Sequence, residues 1–131
     1  MELNLKIIGL LLIALSLIHT VFPRYFHWAK DLKSLTLINR QIMYVHTMFI
    51  GLILFLMGLL CLTSYNEIIE TKLGKRLALG FGIFWTIRLV IQLFGYSKKL
   101  WQGKKFETTV HFAFILLWTY FSVVYFLIFW L

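Results

Sequence analysis

Four long apolar runs alternate with three polar connections along this chain. The runs cover about 5–22, 41–63, 77–96 and 108–131. Each reaches the roughly 20 residues that a helix needs to cross a bilayer. None shows the period-two alternation of a membrane barrel strand, so the pattern predicts four transmembrane helices. The first run opens with Lys6 and a long apolar stretch, like a secretory signal. It has no small-x-small site before Pro23, so it is expected to be retained as a span. The expected fold is an all-α integral membrane four-helix up-down bundle, a single transmembrane domain over 1–131.

The connections differ in character. Residues 24–40 are long and half apolar, with aromatic residues at their start, as in a short interfacial helix. Residues 64–76 are polar, and residues 97–107 are basic around Trp101. Alternate crossing puts Arg24, Lys30, Lys33, Arg40, Lys98, Lys99, Lys104 and Lys105 on one side. Only Lys6, Lys72, Lys75 and Arg76 fall on the other. The side richer in lysine and arginine faces the cytoplasm, so both termini are expected outside a bacterial cytoplasmic membrane.

Composition strengthens this reading and removes others. The chain is 61% hydrophobic and 14% charged. A soluble domain is about half apolar and a quarter charged. A net charge of +8 would otherwise suggest nucleic acid, but the cations sit in connections between apolar runs, as lipid-headgroup and topology signals do. The bilayer is therefore the expected partner, with no nucleic acid. The single cysteine, Cys61, permits neither an intrachain disulfide nor a CxxC site.

The polar residues inside the runs are few. Arg88 and Gln92 stand four apart in the third, with Trp85 and Tyr96 extending their stripe. An arginine at membrane depth is costly and marks a functional site with a partner. The fourth run carries Thr108, His111, Trp118, Ser122 and Tyr125 at helical spacing. Counting inward along each helix, His19 and His111 lie roughly 6 Å from the cytoplasmic boundary, Gln92 roughly 7 Å, His46 roughly 9 Å and Arg88 roughly 13 Å. His27 lies in the connection on the same side.

His46 and His111 also share a context. Val45 to Leu52 and Val110 to Leu117 both read V-H-x-x-F-I-x-L, each opening a run entered from the cytoplasmic side. This admits two repeated helical hairpins, related by an axis along the membrane normal.

All five acidic residues fall outside the expected spans. That argues against carboxylate-bridged iron and a carboxylate proton relay. Desaturase-type histidine boxes and a Ser-His-Asp set are absent too. Imidazole alone suits haem, copper or zinc. The first expectation is thus a small b-type redox protein. His46 and His111 would ligate haem b or another metal. Arg88, Gln92 and Tyr96 would hold a propionate or a quinone head, with His19 near the mouth. Two other readings are a non-catalytic subunit of a larger membrane complex, or of a homo-oligomer, with little tail outside the helices, and an anionic-lipid binding or transport protein in which Arg88 holds the headgroup.

Overall fold

The structure, a computed structural model, describes all 131 residues and contains helices and no strand. Four helices are long and apolar enough to cross a membrane, so the chain is an integral membrane protein by length and composition. They are α1 (Glu2–Tyr25), α3 (Leu37–Thr63), a span from Lys72 to Gly95 and α6 (Lys105–Trp130). Two short helices lie in the connections, α2 (Trp28–Asp31) and α4 (Tyr65–Glu70). α5 (Lys72–Val90) makes most of the third span.

The helices run beyond their apolar cores, for local reasons. α3 begins at Leu37 because the Thr36 hydroxyl accepts the Asn39 N–H, the side-chain cap that a helix start needs. The Thr71 hydroxyl accepts from Gly74 N–H at 2.9 Å and starts α5 in the same way. α1 passes through Pro23 but survives it by only two residues, since proline cannot donate to the carbonyl four before it. Within the polar connection over 64–76, α4 forms. Gly74 allows it to pack, because a Cβ there would collide with the Glu67 carbonyl and the Ile68 backbone.

The chain divides into two compact units, Leu3–Tyr65 and Asn66–Leu131, the second including Met1–Glu2. In the first, α1 and α3 run antiparallel: Gly9 meets Gly58 and Leu62, and further along Ser16 and His19 meet Gly51. A Cβ at Gly58 would stand 2.8 Å from the Gly9 carbonyl oxygen and from Ile13 Cγ1, so backbones touch where side chains are missing. Lipid provides no hydrophobic drive between helices, so this close contact is what holds such pairs together.

In the second unit, α5 and α6 form another antiparallel hairpin built from aromatic rings. Phe81 meets Tyr125 edge to face at 5.3 Å, and Trp85 stacks on Trp118 at 5.0 Å with planes 8° apart. Phe126 packs against Gly82, whose missing side chain makes the room. The seam predicted on the fourth span is buried here at His111, Trp118, Ser122 and Tyr125.

Candidate functional site

The third span does not end with α5. It continues as a π-helical turn over Ile91–Gly95, and the chain then turns out at Tyr96 with extended backbone angles. A π turn widens the helix by one residue, costs regular hydrogen bonding, and occurs often at functional sites. Gln92 lies inside it and is buried, 6% exposed.

The partners of Gln92 settle its orientation. The Trp118 indole N–H can only donate, and it reaches Gln92 Oε1 at 3.3 Å. That turns the amide nitrogen toward His111, whose Nδ1 is 2.9 Å away. An amide NH2 can only donate, so Nδ1 accepts, and in the neutral ring the proton sits on Nε2. His111 is 7% exposed and offers a donor from that second nitrogen.

Trp101 covers the imidazole. The two rings are parallel within 11° at 4.6 Å. The connection holds Trp101 there through Thr108, whose hydroxyl donates to the Trp101 carbonyl at 2.6 Å, and through a turn at Gly103 with φ of 77°. That backbone angle costs glycine little and other residues more.

Arg88 completes the cluster. Its guanidinium stands 5.1 Å over the Trp118 ring and donates from Nη2 to the Tyr96 hydroxyl at 3.2 Å. The Tyr96 oxygen accepts there, which leaves its own O–H free to donate. Arg88 Nη1 is buried without a hydrogen-bond partner, and so is the Trp85 indole nitrogen. The polar atoms on offer are therefore donors: Nη1, Trp85 Nε1–H, Tyr96 O–H and His111 Nε2–H. Lys98, Lys99, Lys104 and Lys105 are exposed on the connection above, and Glu107 is the one acidic residue of this hairpin.

Four of the candidate residues thus meet in the second unit: Arg88, Gln92, Tyr96 and His111. The other two belong to the first. His46 is exposed on α3. His19 is partly buried, donates from Nδ1 to the Leu15 carbonyl at 2.7 Å and packs on Phe22. The two V-H-x-x-F-I-x-L copies differ in surroundings: Val45, His46, Phe49 and Ile50 are exposed, whereas His111 is buried and Val110, Phe114 and Ile115 are partly so. No group of three or more His, Cys, Asp or Glu side chains is arranged to hold a metal ion.

A tryptophan in a basic connection is most simply an interfacial anchor, but Trp101 stacks on His111. Its stacking role has one legible signal, a tryptophan set between lysine pairs two residues before a glycine, in a connection too short to carry it away from the next helix. Trp118 was legible as part of the seam, but its place between Arg88, Trp85 and Gln92 was not. No family model, no curated protein and no solved structure matches this chain.

Proposed function

We propose that this membrane protein binds the phosphate of an anionic lipid at the cluster of Arg88, Tyr96 and His111. One observation carries the reading: a buried guanidinium N–H has no acceptor, and the groups around it also donate. Buried unpaired donors are costly in hydrocarbon. An oxyanion supplies the missing acceptors, and charge-assisted bonds to it are the strong ones. Arg88 lies seven residues before the helix end, roughly 10 Å down. Its long side chain reaches toward the surface through Tyr96, where lipid phosphates reside. The four lysines of the connection would attract the headgroup, and Trp101 is a flat amphipathic surface at that level.

Iron ligation by His46 and His111 asks for the opposite proton order at His111. A histidine that binds metal through Nε2 carries its proton on Nδ1 and donates it to a neighbour. Here Gln92 donates to Nδ1, and reversing its amide would point NH2 at the Trp118 N–H. The donor order favours a ligand that accepts. The reading keeps the topology inferred from the cations, with alternate crossings, the Lys98–Lys105 connection cytoplasmic and both termini external.

Native mass spectrometry of protein released from mixed phosphatidylglycerol and phosphatidylcholine nanodiscs tests this. Retained phosphatidylglycerol is expected, with Arg88→Met lowering the preference about tenfold or more, the value of one charge-assisted hydrogen bond. Inorganic phosphate that displaces the lipid would point to a free oxyanion as ligand. Unchanged lipid preference in Arg88→Met would overturn the reading.

A further inference from the structure

The first hairpin holds a groove in which a histidine offers an acceptor, unlike the donors of the Arg88 cluster. It has a volume of about 470 Å³ and lies between the end of α1 and the first half of α3. His19 and Pro23 line it from α1, and Tyr44, Thr47, Met48 and Gly51 from α3. Tyr44, Thr47 and Gly51 stand three and four residues apart on one face of α3. Gly51 faces His19 Cβ, and the side chain it lacks leaves the hollow.

Two side chains of the α1 wall, His19 and Thr20, have their protons already used. His19 Nδ1–H goes to the Leu15 carbonyl, so in the neutral ring Nε2 is a lone pair. Thr20, also on the groove, gives its hydroxyl proton to the Leu17 carbonyl at 2.6 Å and keeps only acceptor capacity. Pro23 has no N–H for the His19 carbonyl, which loses its helical donor. His19 and Thr20 therefore bring side-chain acceptors to an apolar hollow at membrane depth. The opposite wall carries the Tyr44 ring and the Met48 thioether, with Phe55 below, surfaces that pack well on a flat aromatic ring. The volume falls within the ~300–1,000 Å³ of small-ligand sites.

We propose that this groove binds the phenolic head of a membrane amphiphile, of the alkylphenol or hydroquinone class, with its hydroxyl donating to His19 Nε2. The ring lies against Met48 and Tyr44, and the chain continues along the hairpin into lipid. This site uses no residue of the Arg88 cluster and stands independently of the lipid reading.

The test uses radiolabelled 3-pentadecylphenol and its methyl ether, which differ by the donor alone, on the full chain in phosphatidylcholine nanodiscs. The phenol is expected to bind about three- to tenfold tighter, the value of one buried hydrogen bond. His19→Phe should abolish the preference while leaving ether affinity within about twofold, and His19→Gln, which restores an acceptor, should recover part of it. Gly51→Leu should exclude both ligands. Arg88→Met should leave the preference intact. An ether that binds wild type as well as the phenol does overturns the proposal and makes the groove a seat for a lipid chain. A preference that survives His19→Phe, or that vanishes with Arg88→Met, overturns it as well. The comparison of phenol with ether needs no variant, so it stands even where a substitution prevents folding.

Discussion

Replacing Gln92 by leucine and by glutamate separates what this residue holds together from what it orients. Gln92→Leu removes two buried side-chain hydrogen bonds, at 2.9 and 3.3 Å, and leaves His111 Nδ1 and Trp118 Nε1 without partners. Interhelical bonds of this kind in membranes average ~0.6 kcal/mol, and buried bonds in general contribute about 0.5–1.5 kcal/mol each. The expected loss is therefore about 1–3 kcal/mol, read as a shift in SDS-induced unfolding in mixed micelles. Gln92→Glu retains the shape but presents oxygens to both neighbours. Trp118 still has an acceptor, while His111 must turn Nδ1 into a donor. Nitrogen NMR of protein with labelled histidine reports this directly, and the His111→Gln spectrum assigns the signal. Wild type should show the neutral Nε2–H form at His111, and Gln92→Glu should show a protonated Nδ1. The new carboxylate also neutralises Arg88, so anionic-lipid preference should fall. An Nδ1–H form in wild type would refute the donor order argued here, and a Gln92→Leu loss below about 0.5 kcal/mol, the low end for one such bond, would refute the bonds themselves.

Two glycines on different faces offer a direct comparison. Gly58→Ala pushes a methyl against the Gly9 carbonyl and Ile13 and should cost about 1–3 kcal/mol by overpacking. Gly80→Ala meets nothing within 4 Å and should be neutral or stabilising by up to about 1 kcal/mol, through helix propensity. The same unfolding assay checks both, and equal effects would contradict the packing described. Reporter fusions test the topology: an alkaline phosphatase joined after Leu131 is expected to be active, and a fusion active only in the cytoplasm reverses the assignment.

The legibility of each property in the sequence varies with how local that property is. Length and apolarity of a run are local, so the four spans are legible without any contact being known. Their ends are partly so. Thr36 and Thr71 are recognisable caps in retrospect, but they lie outside the apolar runs by which the spans were delimited. The placing of Gln92 and His111 at one level, with Arg88 about one turn deeper, comes from counting residues along helices, since each residue advances about 1.5 Å. The absence of membrane carboxylates, and the classes of chemistry that this disfavours, need only the sequence.

Partners are a different matter, because they depend on how each helix is rotated about its axis and on side-chain direction. His46 and His111 occupy matching local motifs, yet one is exposed and the other is buried between Gln92 and Trp101. The π turn at Ile91–Gly95 adds a residue to one turn and re-aims the residues after it by about 100°, a change to which hydropathy is blind. Proton order at His111 was decided by a tryptophan 26 positions from Gln92, and the hollow beside His19 by Gly51 lying opposite it. The chain alone determined the four spans and the level of their polar residues, because burial in lipid is a property of each segment. Which ring nitrogen of His111 donates and which accepts was decided only when the helices packed, because that hydrogen bond joins two of them.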